Sequence, residues 1–154
     1  MTKFMGIAIK EAQKGITLND GGPFGAVISR KGKIISQGHN EVLKMNDPTC
    51  HAEIVAIRKA CKKLKRFGLS DCEIYSTCEP CPMCFAAIRW AKIQKLSFGC
   101  TRKDAAKIGF DDEFIYDLIK GEKKDKKFKI IKTNRKNCLV PFKNWELKEN
   151  KKLY

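Results

Sequence analysis

Apolar residues at Phe4, Met5, Ala8, Ile9, Ala12 and Ile16 recur at helical spacing and predict an amphipathic first helix. The chain then breaks at Asn19-Asp20-Gly21-Gly22-Pro23. Phe24 to Ser29 and Lys33 to Gly38 read as two strands, closed into a hairpin by the Lys31-Gly32 turn. A second helix carries Ile54, Val55, Ile57, Ala60, Cys61 and Leu64 on one stripe, with Thr49 as its expected cap and Gly68 closing the region. Strand Cys72 to Thr77, helix Cys81 to Ala91 and strand Lys95 to Gly99 follow in the order of a parallel crossover unit. The expected remainder is a helix over Glu113 to Lys120, a last strand over Lys129 to Lys132 and a final helix over Pro141 to Lys148. A hairpin feeding crossover units predicts an α/β fold, with a mixed sheet of five strands between helices. There is no repeat and no interdomain linker, so residues 1–154 are expected to form one domain.

Composition changes this picture only in part. No apolar run approaches the roughly 20 residues of a membrane span, and Met1-Thr2-Lys3-Phe4 lacks the basic-then-apolar layout of a signal peptide, so a cytoplasmic protein without membrane contact is expected. Five of the eight cysteines (Cys50, Cys61, Cys72, Cys100, Cys138) are scattered among periodic segments, where the free thiol serves as a small hydrophobe. Cys78, Cys81 and Cys84 are clustered instead and read as metal-related. The net charge of +15 would suit a polyanion such as RNA. Much of the excess, however, lies between Lys120 and Lys136, is dominated by lysine and holds one aromatic residue, Phe128, rather than a series of platforms for bases. A solvated lysine surface is the favoured reading.

The chemistry concentrates in His51-Ala52-Glu53 and Pro80-Cys81-Pro82-Met83-Cys84. His-x-Glu followed by Pro-Cys-x-x-Cys is the signature of zinc-dependent deaminases. One imidazole and two thiolates are three ligands, which leaves the fourth position of a tetrahedral Zn2+ to water, as catalytic sites require. His51, Cys81 and Cys84 are the expected ligands. Helix N-termini favour thiolates, and Cys81 and Cys84 share a helix face. Glu53 is free of ligand duty and is the expected proton carrier. The competing reading closes the site with Cys78 as a fourth ligand. His39, isolated at a strand end, reads as a surface or hydrogen-bonded residue.

Further segments extend the likeness beyond the metal motif. Gly21 to Ile28 (GGPFGAVI), His39 to Val42 (HNEV), Asn46 to Glu53 (NDPTCHAE) and Cys78 to Cys84 (CEPCPMC) stand in the order found in the cytidine deaminase superfamily, which the chain resembles. Ala105 to Asp112 (AAKIGFDD), Phe114-Ile115-Tyr116 and the ending Asn150 to Tyr154 look like the bacterial-type guanine deaminases. That resemblance implies a three-layer α/β/α sandwich and conversion of the small purine base guanine to xanthine and ammonia. It implies base recognition by Asn40, ring stacking by Phe24, a second polar or proton-relaying role for Asp112, and a site-lining place for Trp90 near a dimer contact. It also implies a domain-swapped homodimer, in which residues 141–154 form a lid and Tyr154 reaches the neighbouring pocket.

Each of these has a plainer counterpart. An amide such as Asn40 can bond a base both ways, through oxygen and nitrogen, yet could instead cap a turn. Phe24 could be strand core, and Asp111 or Asp112 could cap the helix near Glu113. The rival functions are a tRNA adenosine deaminase, a deaminase of guanosine or another aminated heterocycle, and a non-enzymatic zinc module that binds nucleic acid.

Overall fold

The computed structural model describes residues 2–153. Helix α1 (Lys3–Thr17) starts where the Thr2 hydroxyl accepts from the Met5 N–H. Strands β1 (Gly25–Arg30) and β2 (Lys33–His39) pair antiparallel across Lys31 and Gly32, both at positive φ, as a tight hairpin turn of the right twist demands. After the one-turn helix α2 (Val42–Met45) come α3 (Ala52–Leu64), β3 (Glu73–Cys78), α4 (Pro82–Trp90) and β4 (Lys95–Cys100). Helices α5 (Arg102–Lys107), α6 (Glu113–Lys120) and α7 (Arg135–Leu147) complete the chain. No helix among the described residues is long and apolar enough to cross a membrane.

The sheet order is β2-β1-β3-β4, with β1 antiparallel to both neighbours and β3 parallel to β4 across α4. Strand β1 is buried on both faces. Val27 and Tyr75 pack on Ala8, Phe4 and Met5 of α1. Ala26, Ile28 and Ile74 point the other way, into Ala52, Ala56 and Ala60 of α3 and Ile88 of α4. Alternating side chains therefore bind one helical layer on each side of the sheet.

Three expectations need correction. The sheet has four strands rather than five. Lys129 to Lys132 lies exposed, with Ile130 and Ile131 at 87% and 77% exposure, and a strand with no partner edge has nowhere to place its backbone bonds. The last helix begins at Arg135 and carries Pro141 inside it. The carbonyl that Pro141 leaves unbonded, on Asn137, is on an exposed residue where water can serve it. Thr49 does not cap α3, because its N–H and hydroxyl both go to Asp47 Oδ1; His51 takes the N-cap position and makes no side-chain cap bond. Helices α2 and α5 escaped the periodic reading.

This topology gathers the interesting residues at one end of the sheet. Phe24 precedes β1, Asn40 follows β2, Cys78 ends β3 and Arg102 follows β4. The N-termini of α3 and α4 open at the same end, outside the carboxyl ends of the parallel pair, which is where open α/β sheets bind ligands.

Candidate active site

His51 and Cys81 are the N-cap residues of α3 and α4, both extended in backbone and neither spending its side chain on the helix. Pro82 follows Cys81 at the first helical position, where its missing N–H costs nothing. Cys84, one turn in, is fully buried. The Cys81 and Cys84 sulfurs each lie 3.5 Å from His51 Nδ1, and the three atoms fall within 4.8 Å of one another. A tetrahedral zinc ion with nitrogen and sulfur ligands sets its donors about 3.5 Å apart, so the cluster fits Zn2+.

The charges agree with the distances. Hydrogen bonding from Cys84, and from His51, pulls the Cys81 thiol down to about 4. The bond to Cys81 and then burial push Cys84 upward, so a second adjacent thiolate needs a cation. Cys78 stays outside this cluster. Its thiol donates to the Thr101 carbonyl at 3.5 Å, and burial first, then the nearby Cys100, hold it at about 11.

Glu53, in the first turn of α3, is 5% exposed and accepts from Ser76 Oγ at 3.0 Å. Burial raises its carboxyl above the ordinary range. Its side chain borders a cavity of about 510 Å3 that His51, Cys81, Asn40, Phe24 and Asp112 also line.

Asn40 is 5% exposed, and its Oδ1 accepts from the Gly22 N–H at 3.3 Å and the Val42 N–H at 3.2 Å. The amide thus braces a turn and faces the cavity at once; its oxygen is occupied, so it cannot pair with a base both ways. Phe24 meets Phe110 edge-on at 5.0 Å, and a methyl on Gly22 would press both rings. Of the two aspartates, Asp111 accepts from the Glu113 N–H at the start of α6, whereas Asp112 makes no side-chain cap bond. Burial raises the Asp112 carboxyl.

Trp90 is not brought to this cavity. It closes α4, about 13 Å along the axis from Cys81, and is 67% exposed beside Phe85 and Arg89. Tyr154 lies outside the described residues. His39, read as a surface or hydrogen-bonded residue, is buried and bonded between Glu11 and Asp20. Sequence reasoning missed Glu79, Ser76 and Arg102. Arg102 donates its N–H to Glu79 Oε2 at 3.1 Å, and its guanidinium covers the Tyr116 ring at 4.7 Å. One basic residue among 32 gave no signal; the Thr101-x-x-Asp104 capping box that starts α5 was the readable clue to its position.

A mixed sheet that presents a histidine and two cysteines from two helix mouths beside a buried glutamate is the arrangement of a zinc-dependent deaminase. The chain belongs to the family described as the cytidine and deoxycytidylate deaminase zinc-binding region, which matches residues 1–100. Over 151 residues it is 44% identical to the guanine deaminase of Bacillus subtilis, spanning 98% of this chain and 97% of that one. The crystal structure of that enzyme superposes with a TM-score of 0.93, covering 100% and 99% of the two chains. A tRNA-specific adenosine deaminase of Aquifex aeolicus is 41% identical over 100 residues, 65% of this chain and 66% of that protein. A guanine deaminase structure from Nitrosomonas europaea is 33% identical with a TM-score of 0.68, covering 71% and 63%.

Proposed function

We propose that this protein is a zinc-dependent guanine deaminase, converting guanine and water to xanthine and ammonia. The observation that carries this is the reach of the likeness. The tRNA deaminase is matched over 65% of the chain, whereas the Bacillus enzyme is matched over 98% of it, a span that takes in the segment placing Asp112 at the cavity.

His51, Cys81 and Cys84 would hold the ion. When bound, zinc supplies a Lewis acid that makes water nucleophilic near neutral pH. Glu53 carries two protons in turn, the first from the attacking water to the ring nitrogen and the second from the hydroxyl then on the ring carbon to the departing amine. Burial suits it to this shuttle, since a carboxyl raised above its usual range holds a proton more readily. The Ser76 hydroxyl fixes one of its oxygens. Asn40 and Asp112 bind the polar edges of the base, and Phe24 lies against its face. Residues 1–154 act as one deaminase domain whose tail, from about residue 141, closes the pocket of a second copy and brings Tyr154 there. The exposed apolar side chains of α7 support that exchange, and eight free cysteines suit a reducing cytoplasm.

The test is direct. Zinc-loaded protein given guanine should release xanthine and ammonia in equal amounts, with a rate nearly independent of salt. Glu53→Gln should keep its zinc and lose about 100- to 10,000-fold in kcat. Ammonia released from RNA alone, with affinity collapsing as salt rises, would overturn the choice of substrate.

A further inference from the structure

The cavity wall that contains Asn40 is braced by a buried charged cluster that takes no part in the proton chemistry. His39, the residue before Asn40, is 4% exposed. Its Nε2 lies 2.7 Å from Asp20 Oδ2 and its Nδ1 3.2 Å from Glu11 Oε2. Glu11 is held in turn by Gln37 Nε2 at 2.8 Å, and Lys44 Nζ reaches Asp20 Oδ2 at 3.2 Å. Asp20 is also fixed through its backbone. Its N–H donates to the Gly15 carbonyl, and its carbonyl accepts from the N–H groups of Leu43 and Lys44.

The residues after Asp20 are the ones that grip Asn40. Gly22 donates to Asn40 Oδ1, and Gly21 packs so closely that a methyl there would overlap the same oxygen. Val42, next to the anchored Leu43, supplies the second N–H. Only an oxygen can meet two N–H donors, so chemistry fixes which way round the amide lies. Both lone pairs of Oδ1 are engaged. What Asn40 retains for the cavity is its NH2 group, two donors and no acceptor.

We propose that His39 and Asp20 are positioning residues that lock Asn40 as a pure donor and thereby set the enzyme's preference for a purine edge bearing a carbonyl or an unprotonated ring nitrogen. The N–H groups of the base are then left to the carboxylates of the cavity. An edge that presents an N–H or amine to Asn40 puts donor against donor, and a buried unpaired donor is costly. Loosening the clamp lets the amide rotate, which blunts discrimination before it abolishes binding.

This inference rests on the assignment of a purine base as substrate, and the experiment separates the two. Wild-type enzyme is assayed on guanine, 2,6-diaminopurine and 7-deazaguanine, the last two lacking the carbonyl acceptor and the imidazole-ring nitrogen acceptor respectively, while both keep the ring nitrogen that the reaction protonates. The wild type should lose about 10-fold or more in kcat/KM on the analogue that lacks the acceptor read by Asn40. In His39→Gln and Gly21→Ala that penalty should shrink to a few-fold, mainly through KM, with zinc content per subunit unchanged. Gly21→Ala disturbs the amide without stripping Glu11 and Asp20 of their partner, so a failure of the histidine variant to fold leaves the test standing. Penalties unchanged in both zinc-loaded variants, or no acceptor penalty in the wild type, would overturn the lock. A wild type that turns over none of the three bases would instead overturn the substrate assignment.

Discussion

Asp47 shows how a single surface carboxylate shapes the mouth of α3. Its Oδ1 accepts from the Thr49 N–H at 2.8 Å and the Thr49 hydroxyl at 2.7 Å, and its Oδ2 accepts from the Cys50 thiol at 3.2 Å. The turn they close leads directly into His51, with the Cys50 carbonyl tied to the Glu41 N–H. These bonds, the Thr49 hydroxyl first, pull the carboxyl from 3.8 down to about 2. A group whose folded value lies below its unfolded one stabilises fully above the unfolded value and loses that contribution as the pH falls through the folded one. Asp47→Ala should therefore unfold at lower denaturant than the wild type by a constant margin between pH 5 and 7. The margin should narrow from about pH 4 downward and close near pH 2. Paired denaturation midpoints across that range decide it; a margin that holds steady to the acid end would assign the effect to something other than the charged carboxylate.

At the scale of elements, the contact of α1 with β1 leaves no room at all. A β-carbon on Gly25 would overlap the Ala8 carbonyl oxygen and come within 2.6 Å of the Ala12 nitrogen, both backbone atoms that cannot swing aside. Gly25→Ala must push α1 off the sheet and open the layer that holds Val27 and Tyr75, at a cost of about 1–3 kcal/mol or more. Urea midpoints should show that loss, while Gly68→Ala, with nothing within 4 Å of the added carbon, should stay near wild type. The same packing explains what could be read from the chain. Helices α1 and α3 press one face on the sheet and so print a 3.6-residue stripe; the hairpin was legible because Lys31-Gly32 adopts the backbone that its length requires. Helices α2 and α5 last four and six residues, too short for a period to register. The metal cluster was legible because its spacing is local to two helix ends. The pairing of His39 with Asp20 and Glu11 joins residues 19 and 28 apart, and no local pattern encodes such a meeting.

The molecule as a whole leaves its C-terminal part uncovered. Ile130, Phe142, Leu147 and Leu153 are between 72% and 87% exposed, and α7 has 13 residues with a proline inside. A helix of that length is marginal in water by itself and draws its stability from a packed apolar face. A second copy of the chain is the proposed cover, with each tail closing the other's cavity. Exchange of that kind makes a prediction no monomer can imitate. A chain ending at Lys120 retains Glu53 and the metal cluster but lacks the tail; full-length Glu53→Gln has the tail but no proton carrier. Each alone should be nearly inactive on guanine. Mixed at equal concentration under conditions that let subunits exchange, they should regain activity. In a random mixture of two-fold dimers about one quarter of the sites pair an intact Glu53 with a borrowed tail, which sets the ceiling. Sedimentation of the intact chain should give a dimer, and the shortened chain should associate more weakly. Full activity in the shortened chain, or no recovery in a mixture shown by mass to contain the hybrid, would mean that each tail serves its own pocket or none.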